Sequence, residues 1–377
     1  MATPDEMHAQ HTRRVFLERS TLGLGAMAAT SLLDAEETSR NTAATAAGPA
    51  GPPHFAPRAR RVIYLFQSGG PSQMDLFDHK PQLARRFGQE VPRSVYPDER
   101  KTTMTAGQTS FPVAPSTFKF ARHGQSGTWL SEPQPHLAKM IDEVCVIKSM
   151  HTPAINHDPA ATLFQTGSVI AGRPSMGSWV NYGLGSENAN LPAFVALTSN
   201  GSAKAGQPLY DRLWGAGFLP GQFQGVKFRG QGNPILDLYN PGGVSREQRR
   251  RMLDTLNRLN QQQAGRFNDP AVATRIAQYE LAFRMQMSVP ELIDVGSESQ
   301  SVLDLYGPQA TTVGTYAYNC LLARRLAERD VRFTQVFIRQ WDQHGNLPSQ
   351  IRGQCSDVDQ ASAALIKDLK ARGLLAL

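Results

Sequence analysis

Three short polar clusters carry the residue types that can do chemistry, and each follows an apolar run. In Gln340-Trp341-Asp342-Gln343-His344-Gly345-Asn346 an aspartate and a histidine stand two apart, just beyond Val331 to Ile338. At a strand end such a pair can turn toward one ion, offering an oxygen and a nitrogen ligand. A turn with a capping aspartate is the alternative. The second cluster, Ser68-Gly69-Gly70-Pro71-Ser72-Gln73-Met74-Asp75-Leu76-Phe77-Asp78, follows Arg60 to Gln67. Its glycines permit close backbone approach, and Asp75 and Asp78 offer hard oxygen ligands. A Gly-Pro turn capped by Asp78 fits the same residues. The third cluster joins Ser149-Met150-His151-Thr152 to Asn156-His157-Asp158-Pro159. His157 stands just before a helix start, where a phosphate or sulfate group is favoured. A histidine there can bind metal, move a proton or simply face solvent.

These clusters need strands to position them. Arg60 to Gln67, Val144 to Lys148, Ala193 to Thr198 and Val331 to Ile338 are short β-prone apolar runs and read as buried strands. Val91 to Ser131, rich in Pro, Ser, Thr and Gly, reads as loop. Helices are expected over Asp158 to Gln165, with Asp158 as cap and Pro159 at the first position, and from the capping box Ser245-Arg246-Glu247-Gln248. Met252, Leu253, Leu256 and Leu259 follow that box at helical spacing. Another helix opens at Asp269-Pro270, with Val272, Ile276, Tyr279, Phe283 and Met287 on one face. Further helices are expected over about Thr312 to Glu328, and from Ser356 to Gly373 with Val358, Leu365 and Leu369 inward. Strands alternating with helices imply an α/β fold with a mostly parallel sheet covered on both faces, and ligands bind such sheets at the strands' carboxyl ends. All three clusters lie at expected strand ends.

Composition narrows the partners. The net charge of +7 is partly held by the N-terminal leader and Arg246 to Arg251, and no basic run is interleaved with aromatics, so nucleic-acid binding is not expected. Cys145, Cys320 and Cys355 are an odd, widely spaced set, neither a disulfide framework nor a zinc knuckle; Cys145 in its strand and Cys320 in its helix read as core residues. No G-x-S-x-G elbow, P-loop, G-x-G-x-x-G or H-E-x-x-H occurs, which argues against the common serine hydrolases, nucleotide enzymes and zincins. Thr12-Arg13-Arg14-Val15-Phe16-Leu17 precedes an uncharged run from Ser20 to Leu33, too short and weakly apolar to span a bilayer. It reads as a twin-arginine export signal over 1–34, followed by a linker over 35–57. Residues 58–377 form the main domain, with a helical insertion at about 245–290. Expected partners are the twin-arginine export machinery and a small-molecule or glycan ester, without a stable transmembrane span. The expected location is the periplasm, cell envelope or extracellular space.

The stretch Leu65 to Pro81, Ser149-Met150-His151 with Asn156-His157, Leu321-Leu322-Ala323-Arg324-Arg325-Leu326, and Gln340 to Asn346 together resemble the DUF1501 proteins. The resemblance covers nearly everything from Arg60 on, and G-G-P-S-x-x-D-x-F-D and W-D-x-H-G-N are specific to it. It implies a sulfatase-like protein of the alkaline phosphatase superfamily, exported and of unknown function. The fold would be a three-layer α/β/α sandwich with a divalent-metal site and phosphate or sulfate ester hydrolysis. Sulfatases place a Cys or Ser nucleophile in C/S-x-P-S-R-x-x-L-x-T-G. Here Pro159, Thr166 and Gly167 match that frame, the nucleophile position holds His157, and the arginine position holds Ala161. The resemblance therefore supports no serine or cysteine nucleophile. Family members usually continue past the last helix into a strand and an E-F-G-R-T-P-like motif, so the resemblance implies a chain incomplete at its C-terminus.

The resulting expectation is His157 as the catalytic residue and Asp75, Asp342 and His344 as metal ligands. Ser72, Asp78, His151 and Asn156 would support them or bind substrate. Zn²⁺ suits mixed Asp and His ligands best, with Ca²⁺, Mg²⁺ or Mn²⁺ as alternatives. A non-catalytic exported binding or envelope protein that keeps the fold is the rival reading.

Overall fold

The computed structural model of the chain describes Ala56 and residues 58–95, 105–202, 207–229, 235, 238–267 and 270–375. The expected export signal, nearly all of the expected linker, and Asp269 lie outside the described residues.

Four strands make one parallel sheet: β1 (Val62–Gly69), β4 (Phe194–Ser199), β5 (Val226–Phe228) and β6 (Phe333–Trp341), in the order β1-β6-β4-β5. The other two strands, β2 (Phe120–His123) and β3 (Thr128–Ser131), form a separate antiparallel hairpin. β-Branched and aromatic residues dominate β1 and β6, which suits a pleated, packed surface. The longer helices are α1 (His157–Thr166), α2 (Met176–Leu184), α3 (Arg246–Phe267), α4 (Pro270–Ile293), α5 (Tyr316–Glu328) and α6 (Leu347–Ala371).

Period-two alternation divides the sheet's side chains between two cores. Val195, Leu197, Val336 and Ile338 face α4, α5 and α6, where Val289, Leu292, Leu322, Leu326, Val358 and Leu365 meet them. Phe194, Ala196, Phe333 and Phe337 face the other way, against Trp214, Ala161 of α1 and Val180 of α2. The architecture is thus α/β with a parallel sheet and helices on both of its faces. No helix among the described residues is long and apolar enough to cross a membrane.

Several sequence expectations change. Val144 to Lys148 is not a strand but a coil that ends in a turn, and Cys145 is exposed rather than a core residue. The run has β propensity, yet among the described residues no neighbouring strand offers it a ladder. Val91 to Ser131 is not all loop, since β2 and β3 lie within it. Their turn uses Gly124 and Gly127 at positive φ, and the Asp142 carboxylate accepts the Gln125 and Ser126 N–H groups at 2.8 and 3.1 Å. In α4 the buried residues are Met285, Val289 and Leu292, whereas Tyr279 and Met287 of the expected stripe are exposed. α5 begins at Tyr316, capped by Thr315, whose hydroxyl accepts the Tyr318 N–H at 3.2 Å. Cys320 is buried there as expected. The last helix starts at Leu347, ahead of Ser356 and behind Asn346 at φ 45°. Pro348 fits its first turn, and Ser356 sits inside it with its hydroxyl donating to the Gly353 carbonyl. The Gln340 to Asn346 cluster is therefore bound directly between β6 and α6.

Candidate functional site

The carboxyl ends of β1 and β6 converge at Gly69 and Trp341, which are paired across a local register shift. Gly69 adopts φ +127°, and a Cβ there would lie 2.4 Å from the Trp341 carbonyl oxygen. Only glycine fits, because side chains rarely adopt that φ and the obstacle is backbone. On β6, Gln340 sits at φ 85°, an uncommon conformation for a residue with a side chain. Both strands thus leave the sheet abruptly, and Asp342 emerges beside the end of β1.

α1 supplies the third side. It begins at His157, one residue earlier than the expected Asp158 cap, with Asn156 in the capping position. His157 Nδ1 lies 2.6 Å from the Gly69 carbonyl oxygen. A carbonyl can only accept, so the hydrogen belongs on Nδ1, and Nε2 is the nitrogen turned to the site. That Nε2 lies 3.0 Å from Asp342 Oδ1, and His344 Nε2 reaches the same oxygen at 2.8 Å. One carboxylate oxygen therefore serves two imidazoles from opposite directions in the chain. The contact is attractive when a positive charge sits on or between these groups, as an imidazolium or a shared cation. Burial works against the Asp342 carboxylate, but the His157 and His344 imidazoles outweigh it and hold its pKa below the ordinary aspartate value.

The remaining expected residues make other contacts. Asp75 accepts a hydrogen bond from Ser72 at 2.6 Å, and no group of three or more His, Cys, Asp or Glu among the described residues is arranged to hold a metal ion. Asp78 pairs with Lys80 at 2.8 Å and meets Lys148 at 4.0 Å. His151 and Asn156 are exposed. Sequence reasoning did not single out Arg212, whose guanidinium pairs with Asp158 in the first turn of α1 and stacks 4.1 Å over Tyr210. Nothing in the spacing links Arg212 to α1, since 54 residues separate it from Asp158. The Gly69 carbonyl was missed as well, although its glycine lies in the second cluster.

Beside His157 opens a cavity of about 360 Å³, walled by Tyr64, Phe66, Pro71, Ala161 and Phe164. The arrangement offers a proton-transfer group held by a carboxylate, an anion-favouring helix start with an arginine nearby, and an apolar recess.

No curated protein and no solved structure matches the chain. A family model described as protein of unknown function (DUF1501) matches residues 59–376. The chain therefore belongs to the DUF1501 family.

Proposed function

We propose that the chain is an exported, metal-dependent hydrolase of phosphate or sulfate esters, on a three-layer sandwich of the alkaline phosphatase and sulfatase type. The twin-arginine route would carry it to the periplasm, the envelope or the exterior. The observation that supports this reading is the meeting of His157 and His344 on one oxygen of Asp342 at the strand ends. By chemical type two imidazole nitrogens and a carboxylate suit a divalent ion, Zn²⁺ first and Mn²⁺ next, although the three now contact one another directly rather than being spaced around an ion. His157, Asp342 and His344 would hold it, and the Gly69 carbonyl on Nδ1 is the outer hydrogen bond such a ligand needs. When bound, the ion supplies charge to an ester oxygen or acidifies water.

The chain's own residues supply the rest. The start of α1 favours a tetrahedral anion, with the Arg212 guanidinium, paired to Asp158, beside it. Asp342 and the Gly69 carbonyl keep the His157 ring oriented, with Nε2 aimed at the shared centre. Tyr64, Phe66 and Phe164 receive the organic part of the ester and exclude water.

The test is hydrolysis of p-nitrophenyl phosphate and p-nitrophenyl sulfate by the purified chain with Zn²⁺, Mn²⁺, Mg²⁺ or Ca²⁺. Asp342→Ala and His157→Ala are each expected to lower the rate about 10²–10⁴-fold with the fold unchanged. No turnover with any ion, or full turnover by Asp342→Ala, would overturn the hydrolase and leave the non-catalytic binding protein.

A further inference from the structure

α3 turns two different sides to its surroundings. On the side packed against α4, Leu253 is buried. The Arg250 guanidinium pairs with Glu280 at 2.6 Å there, and Asn257 donates to the same carboxylate at 2.6 Å. Arg246 lies 5.2 Å over the Phe283 ring. On the other side Met252, Leu256 and Leu259 are 50, 41 and 53 % exposed. Their spacing of four and then three residues puts them in one stripe along the helix. An open groove of about 650 Å³ runs beside the stripe, between Gly243-Val244 and the side chains of Met252 and Leu256.

The charges of α3 are sorted in the same way. By helical geometry Arg249 flanks the stripe on one side and Arg251 and Arg258 on the other, while Glu247 and Asp254 fall on the opposite side of the helix. Asp254 is taken by Arg250 at 2.6 Å, and the Glu247 carboxylate accepts from the Ser245 hydroxyl at 2.8 Å. Arg258 donates to the Thr255 hydroxyl at 3.5 Å. Among the described residues no carboxylate stands within ion-pair distance of Arg249, Arg251 or Arg258.

An apolar stripe with unpaired arginines on both flanks fits a surface that is apolar inside and anionic at its boundary. Packing a second copy stripe to stripe would bring the unpaired guanidiniums of both copies together, which is repulsive. A nucleic acid supplies charge but nothing apolar for Met252, Leu256 and Leu259. A partner helix needs a groove along its whole length, whereas Leu259 lies beyond the groove.

We propose that α3 docks this protein on the surface of an anionic lipid bilayer. The stripe enters the boundary between headgroups and acyl chains, and the groove takes the end of an acyl chain. Arg249, Arg251 and Arg258 meet lipid phosphates on either side. The helix lies along the bilayer and does not cross it. This inference does not depend on the hydrolase reading.

The probe is a vesicle of equal parts phosphatidylcholine and phosphatidylglycerol, sedimented with the full chain. Saturable binding that weakens with salt is expected, and far less binding to phosphatidylcholine alone. Replacing the three arginines together (Arg249→Gln, Arg251→Gln, Arg258→Gln) is expected to weaken binding about 10²-fold. Replacing the stripe (Met252→Ser, Leu256→Ser, Leu259→Ser) is expected to weaken it about tenfold or more. Both variants should unfold in urea as the native chain does, because the altered side chains are exposed. Residues 1–34 are present in every variant, so their own affinity for lipid cannot produce these differences. An environment-sensitive fluorophore on Leu256→Cys, in a Cys145→Ser chain, should shift to the blue on anionic vesicles. Three results would overturn the proposal: no saturable binding to the anionic vesicles, native binding by either triple variant, or a bound chain whose fluorophore stays in water. A native dimer that the stripe variant loses would also overturn it, by giving the stripe to a second copy.

Discussion

β1 and β6 run side by side in the same direction, with similar apolar composition, yet they live in different surroundings. β6 lies between β1 and β4, and Phe333, Val336, Phe337 and Ile338 are each at most 1 % exposed. Among the described residues β1 has a strand neighbour, β6, on one side only, and most of its residues stay half-buried. The ion pairs follow the same contrast. Behind β6, Arg324 of α5 is buried and meets Glu298, Glu328 and Asp368 at 2.6, 2.5 and 3.0 Å. Around β1, the Arg61–Asp330 and Asp78–Lys80 pairs lie at the surface. Composition decides that a strand forms, while its neighbours decide how much that strand is worth. The candidate site sits where the firm strand meets the open one: Asp342 hangs from β6, and His157 is anchored to the end of β1.

The contrast can be broken by truncating one aromatic on each strand. Phe337→Ala should cost about 3–5 kcal/mol in urea unfolding, since a buried phenyl ring leaves a cavity. Phe66→Ala should cost no more than about 2 kcal/mol, since its ring is only partly removed from water. Equal losses would mean that the β1 edge is covered in solution. Next comes Arg324→Ala, which strands buried carboxylates and should cost about 3–5 kcal/mol, again far from β1. A smaller loss is expected for Gly69→Ala, about 1–3 kcal/mol, from the strained φ and the Trp341 carbonyl. This substitution should also disturb the ring of His157, readable as a shifted imidazole resonance. An unchanged resonance would separate the strand junction from the site.

The smallest effect is acid sensitivity behind β6. Burial works against the Glu298 carboxylate, and Arg324 and Arg325 outweigh it, so its folded pKa lies below the ordinary value. A lowered carboxylate pKa adds stability that is complete above the unfolded value of about 4.3 and is lost as pH falls through the folded pKa. In Arg324→Ala the acid limb should begin nearer the ordinary glutamate value. A wild-type limb that begins there already would contradict the pairing.

β1, β4 and β6 were legible because apolar β-prone runs end at turn residues in each. Val144 to Lys148 has the same local signal, but the sequence cannot say whether a neighbour stands ready to pair with it. β2 and β3 were hidden because each is short and pairs only with the other. The start of α6 was hidden by its cap, an asparagine at positive φ followed by Leu-Pro, while Ser356 offered a more familiar signal. At the site, Asp342, His344 and His157 were named from strand ends and a helix start, which are local features. The shared oxygen, the Gly69 carbonyl and Arg212 depend on contacts between distant segments. Asp75 was named from its place after β1, and its contact with Ser72 lies within the same cluster.

The central claim is that His157, Asp342 and His344 act as one cation-holding centre. Zinc titration of the purified chain by calorimetry, with bound metal counted by mass spectrometry, tests it directly. One equivalent should bind to the native chain and be lost in His157→Ala, Asp342→Ala and His344→Ala, while the Asp75→Ala control keeps it. No stoichiometric zinc in the native chain, or an unchanged equivalent in Asp342→Ala, would contradict it.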